Sequence, residues 1–159
     1  MKSFLGINSK KRPTTEDLIE RGFAPKNGKI DILLVYPPST VADRLGVEDM
    51  GEIGGDTIPL GIASLAAYLR EKNFGVGVLD CTALRLNVNQ IYEIIKTKDP
   101  AIIGFSVTTY GLSTAIEIAK KIREKFPTKL TLCGGAHARD APEQTNYDFF
   151  DIVTYGKDG

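Results

Sequence analysis

Apolar and polar positions fall in blocks along this chain, and the period of the blocks changes in a regular way. Ile30 to Tyr36, IDILLVY, is almost continuously apolar, and Pro37-Pro38 stops it because proline has no N–H to offer a ladder. Gly75–Leu79, Lys129–Cys133 and Asp151–Tyr155 are further apolar runs of strand length. Between them the period turns helical. Ile58, Ile62, Leu65, Ala66 and Leu69 predict an amphipathic helix over 58–72, with Pro59 suited to its first turn. Val88, Ile91, Ile94 and Ile95 predict a second helix, ended at Asp99-Pro100 because the residue before proline avoids helical geometry. Leu112, Ala115, Ile116, Ala119, Ile122 and Phe126 predict a third, closed by Pro127, and a short helix is expected to start near Ala141-Pro142-Glu143.

The stretch from Ala101 to Tyr110, AIIGFSVTTY, organises the rest. Ile102 to Phe105 show no polar alternation, as expected of a mid-sheet strand covered by helices on both faces. Ser106, Thr108 and Thr109 follow at its carboxyl end, the edge at which open α/β sheets bind ligands beside a reversal of strand order. Strand and helix alternate five times. With right-handed crossovers this predicts an α/β fold: a doubly wound, Rossmann-like, five-stranded parallel sheet in the order 2-1-3-4-5, with helices on both faces.

Residues 1–29 differ in texture and read as an extension, with one short helix in TTEDLIERG capped by Thr14 or Thr15 and ended by Gly22. The Lys10-Lys11-Arg12 run reads as solvated surface. Residues 30–159 form the domain proper. The connection from Ser39 to Thr57, rich in Gly, Asp and Glu, is longer than compact domains usually carry without shaping a site or a partner surface.

Charge and cysteine content narrow the classes. The 20 basic and 20 acidic residues balance, which argues against nucleic-acid binding. Cys81 and Cys133 lack metal-ligand spacing and read as buried thiols of a reducing compartment. With no apolar stretch of membrane-span length and no secretory h-region, a cytoplasmic location is expected.

In the expected topology the turns after strands one, three and four converge, so the candidate site is lined by Tyr36 to Ser39, Ser106 to Thr109 and Gly134 to His137. Small residues dominate it. Gly134-Gly135 would let a flat group lie directly on the backbone, or would serve a tight turn of positive φ; both readings stay open. Strand ends reading Tyr36-Pro37-Pro38 and Ser106-Val107-Thr108 lack the acids of a phosphoacceptor receiver, and no phosphate-binding turn follows strand one. Neither GxGxxG at a strand-helix junction nor GxxxxGK[ST] is present. The single histidine, His137, has no GxSxG elbow and no cysteine partner in the sequence, leaving hydrolase chemistry unsupported. Asp80 reads as a cap of the following turn, and Tyr36 and Tyr110 as walls of the site or edge packing.

Five stretches in order, Val35-Tyr36-Pro37-Pro38, Ile58 to Arg70 (IPLGIASLAAYLR), Ile103-Gly104-Phe105-Ser106, Gly134-Gly135-Ala136-His137-Ala138 and Asp151 to Gly156 (DIVTYG), resemble the amino-terminal cobalamin-binding domain of B12-dependent radical SAM enzymes. The resemblance implies that the corrin ring rests near Tyr36, Pro37, Pro38, Ser39 and the helix start at Ile58, Pro59, Leu60 and Gly61. It implies a nucleotide tail running beside Ser106, Val107, Thr108, Gly134 and Gly135, with Ala136, His137, Tyr155 and Gly156 at the same rim. The DxHxxG loop of other B12 domains is replaced here by Tyr36-Pro37-Pro38-Ser39, which is similar to the branch that holds the cofactor base-off with no histidine below cobalt. The end reads Gly156-Lys157-Asp158-Gly159 where that family usually has Gly-Glu-Gly-Glu.

Family members add a radical SAM barrel with a CxxxCxxC motif, a [4Fe-4S] cluster and S-adenosylmethionine. This chain contains neither barrel nor motif, so the resemblance implies an excised, non-catalytic module whose barrel is expected carboxyl-terminal of Gly159, from an enzyme that is a methyltransferase or a relative of one. A protein imidazole absent from below cobalt would favour Co(I), a nucleophile able to take a methyl group from S-adenosylmethionine. Two further readings stay open. One is a stand-alone α/β small-ligand or protein-interaction domain without cobalamin; the other is a small enzyme using His137 as a base.

Overall fold

The computed structural model of the chain describes residues 28–39, 58–145 and 147–155, with the side chain of Tyr147 excepted. The expected helix within residues 1–29, most of the 39–57 connection, and Gly156, Lys157 and Asp158 lie outside the described residues. The elements follow one another as β1 (Ile32–Tyr36), α1 (Leu60–Glu71), β2 (Val76–Asp80), α2 (Val88–Lys98), β3 (Ile102–Ser106), α3 (Leu112–Lys125), β4 (Leu130–Gly134), α4 (Ala136–Asp140), two single 3-10 turns at Pro142–Gln144 and Tyr147–Phe149, and β5 (Ile152–Val153). The five strands are all parallel and lie in the order β2-β1-β3-β4-β5, as the alternation of strand and helix predicts.

Local chemistry sets the element ends. Asn87 accepts from the backbone N–H of Gln90, and the Gln90 side chain accepts from the Asn87 N–H, a reciprocal box that starts α2. Asp99, before Pro100, leaves the helix in the left-handed conformation at φ 47°. In α1, Arg70 reaches over to donate twice to the Val76 carbonyl, at 3.0 and 2.8 Å, which ties the helix end to the start of β2.

Alternate residues of β1, β2 and β3 serve two separate cores. Leu33, Val35, Leu79, Ile103, Phe105 and Cys133 meet Ile91 and Ile95 of α2 and Ala115, Ile118, Ala119 and Ile122 of α3. Each fully buried isoleucine here contributes about 1.5–3 kcal/mol of hydrophobic stabilisation. On the other side, among the described residues, Ile32, Leu34 and Val76 meet Ile62 and Ala66 of α1, with Leu69 and Ile102 packed alongside. Among those residues that side is clad over β1 and β2 and only half covered beyond them.

This asymmetry departs from the sequence expectation for the central strand. Ile103 and Phe105 are buried, but Ile102, Gly104 and Ser106 are only half-buried, because α1 packs on β1 and β2 and leaves β3 partly bare. The expected strand 101–110 also ends early: past Ser106 the Val107 N–H donates to Gly134 O at 2.8 Å, turning the chain across the end of β4. Helix α1 begins at Leu60 rather than Ile58, and Ile58 and Leu60 are each 70% exposed, off the buried stripe. Leu65 is likewise exposed, and in α3 Ile118 fills the core while Ile116 is peripheral. The short helix expected near Ala141 is a single 3-10 turn at Pro142–Gln144, an unexpected helix at Ala136–Asp140 precedes it, and β5 keeps only two residues of the expected five.

Candidate functional site at the carboxyl rim of the sheet

Parallel strands end on one rim, and the helices that follow begin there, so the turns after β1, β3 and β4 become neighbours. Thr82 locks the first of them, donating to Pro37 O and accepting from Ser39 N–H, both at 3.3 Å. Pro37 is buried and Ser39 nearly so, while Tyr36 and Pro38 are half-buried. The β1 turn touches the β3 turn at Gly111, where a Cβ would lie 3.3 Å from Pro37 Cβ and 3.7 Å from Thr108 Oγ1. The β3 turn is sewn to the β4 turn by the Val107 N–H bond to Gly134 O and by His137 N–H donating to Val107 O at 3.1 Å. The three turns named in the sequence are thus one continuous surface.

The two glycines have different reasons. Gly135 sits at φ 100° and ψ −171°, a region essentially closed to other residues, and a Cβ there would lie 2.8 Å from both N and O of Val107 and 3.0 Å from Ser106 Oγ. The turn itself therefore demands glycine at 135. At Gly134 an added Cβ would meet the Thr154 hydroxyl at 2.5 Å. Gly134, Ser106 and Gly104 lie side by side on the half-open face, Ser106 opposite Gly134 and Gly104 opposite Leu132. They form a strip of small residues running down the sheet from the rim, with the Leu34 side chain beside Gly104 and the Thr154 hydroxyl beside Gly134.

His137 occupies the first turn of α4 and is 5% exposed. Its Nδ1 lies 3.1 Å from Thr109 Oγ1, and its Nε2 is buried with no hydrogen-bond partner among the described residues, a deficit that typically costs about 1–3 kcal/mol. Thr108, Thr109, Tyr110, Ala136, His137, Asp140, Ala141 and Gln144 line a cavity of about 220 Å³ at this end of the rim. Arg139 engages Asp140 at both carboxylate oxygens, 2.7 and 3.1 Å, and that hydrogen bond holds the Asp140 carboxyl below the usual range.

Of the remaining candidates, Ile58, Pro59, Leu60 and Gly61 stand at the amino end of α1, on the same rim but over β1 and β2. Val107 presents only its backbone, since its side chain is in the core. Ala136 is exposed beside His137, Tyr155 is 64% exposed beyond β5, and Gly156 lies outside the described residues. Asp140, Ala141 and Gln144 are missing from the sequence-derived set, as is Thr109 from its cofactor contacts. No periodic signal marks them: α4 ends at Asp140, Ala141 leaves it at φ −139°, and Gln144 belongs to the following 3-10 turn. Among the described residues no helix is long and apolar enough to cross a membrane.

The model of the B12 binding domain family matches residues 49–159. An uncharacterized methyltransferase, PH0819, of Pyrococcus horikoshii is 38% identical over 117 residues, a match covering 72% of this chain and 23% of that relative.

Proposed function

This chain belongs to the B12-binding domain family, and from that membership we propose that it is the cobalamin-holding module of a larger methyltransferase. The observation that carries the reading is the small-residue strip: Gly104, Ser106 and Gly134, each half-buried, share one face of the sheet below a rim made by three joined turns. A slender nucleotide tail fits such a strip, and the residues present suit it. Ser106 and Thr108 offer hydroxyls that donate or accept, and Gly134 brings the backbone to the surface. The corrin ring lies above, over Tyr36, Pro37, Pro38, Ser39 and the exposed start of α1 at Ile58, Pro59, Leu60 and Gly61. Val107, Gly135, Ala136, His137, Tyr155 and Gly156 complete the rim, Val107 and Gly135 by fixing its shape.

We further propose that binding is base-off without a protein ligand to cobalt. The single histidine of the chain follows β4, and the turn after β1 carries prolines and a serine in its place. Bound there, the corrinoid supplies a carrier for methyl groups. This chain's residues bind and orient it; residues 30–159 make the domain and 1–29 an extension. On this reading the protein is cytoplasmic, and a radical SAM barrel with its [4Fe-4S] cluster and S-adenosylmethionine supplies the remaining chemistry.

Equilibrium dialysis of the purified chain against hydroxocobalamin, followed by its visible spectrum, tests the proposal. Retained cobalamin with a base-off spectrum is the expected result. No retention favours a small-ligand or interaction domain, and a histidine-ligated spectrum overturns the base-off assignment.

A further inference from the structure

We propose that the cavity beside His137 is a carboxamide pocket, receiving one of the acetamide or propionamide side chains at the corrin periphery; this rests on the cobalamin reading above. The size sets the scale. About 220 Å³ holds roughly seven waters at about 30 Å³ each, too little for a tetrapyrrole and ample for one amide arm.

The lining sets the chemistry. Thr108, Thr109, Tyr110 and Gln144 all carry groups that donate and accept, while the one carboxylate, Asp140, is already engaged by Arg139. A neutral ligand that also both donates and accepts matches this set better than an ion. His137 sharpens the choice. With Nδ1 paired to Thr109 and the backbone N–H pinned to Val107 O, the ring is fixed at the rim and only Nε2 lacks a partner. In a neutral imidazole Nε2 is a donor or an acceptor according to tautomer, and a primary amide answers either, through its C=O or its N–H. Nε2 is closed off from solvent, so an amide in the cavity meets it only when the lining side chains shift.

The chain contains one histidine, so ring labelling with 15N and 13C gives a single set of signals and needs no substitution. Spectra are recorded with hydroxocobalamin and with cobinamide, which keeps the corrin carboxamides and lacks the nucleotide tail. The expected result is a shift of the Nε2 resonance with both corrinoids, and a nuclear Overhauser contact between the His137 ring and a corrin amide proton. A corrinoid that is bound without such a contact overturns the carboxamide pocket and leaves the cobalamin reading standing. Failure of both corrinoids to bind overturns the two together.

Discussion

Asp151 accepts two hydrogen bonds at one carboxylate oxygen from a single residue, the Thr131 N–H at 2.7 Å and the Thr131 hydroxyl at 2.8 Å. Thr131 is buried in β4, so this pair fastens the short β5 to the body of the sheet. Asp151→Asn is expected to cost about 1–2 kcal/mol at neutral pH, read as a Tm lower by roughly 3–8 °C.

The same contact predicts a pH dependence. Hydrogen bonding from Thr131 in the first place, and from Arg123, holds the Asp151 carboxyl below its usual range. A depressed folded value means that the stabilisation is present above about pH 4, the ordinary aspartate range, and is lost as pH falls through the folded value. Wild type and Asp151→Asn, compared by urea unfolding from pH 7 to pH 3, are expected to converge at the acid end. A gap that widens with acid contradicts this.

The two rim glycines are expected to respond unequally. Gly135→Ala forces a side chain into a glycine-only region and against Val107 backbone, and is expected to lower stability by about 3 kcal/mol. Gly134→Ala displaces the Thr154 hydroxyl from its bond to Cys133 O, on an otherwise exposed side chain, and is expected to cost about 1 kcal/mol. Urea midpoints of the two variants check the contrast.

Filling the strip separates binding from folding. A Cβ at Gly104 lies 3.1 Å from the end of the Leu34 side chain, which is buried in the smaller core and must give by a few tenths of an ångström. Gly104→Val is expected to keep the wild-type circular-dichroism spectrum at a cost of about 1–3 kcal/mol, while reducing cobalamin retention in dialysis at least tenfold under conditions where the variant is fully folded.

Both thiols are expected to be silent in the native protein. Burial pushes Cys81 and Cys133 up to about 12, with the neighbouring Asp80 adding to the shift at Cys81. A chromogenic disulfide reagent at pH 8 should detect no thiol in the folded chain and two in guanidinium chloride.

The parts legible in sequence were those written as long periodic patterns. The α3 stripe and the apolar run at Ile102–Phe105 announce their elements, and five alternations leave few topologies. What escaped depends on tertiary contact. Helix α4 has five residues and no pattern of its own; it forms because His137 and Ala138 bury themselves under the rim. The bare side of β3 was hidden because Ile102 and Ile103 look alike in sequence, and only the placement of α1 tells them apart. At the site the three turns were legible from topology, whereas the His137 cavity required knowing that Thr109 reaches across to the imidazole.

β5 forms one margin of the sheet, and it is two residues long. A margin so brief presents scarcely any unpaired backbone donors or acceptors, so a strand from another molecule finds almost nothing to extend. Thus the economy of that last strand closes this margin to pairing with other copies and leaves the five-residue β2 as the edge at which such pairing has backbone to use.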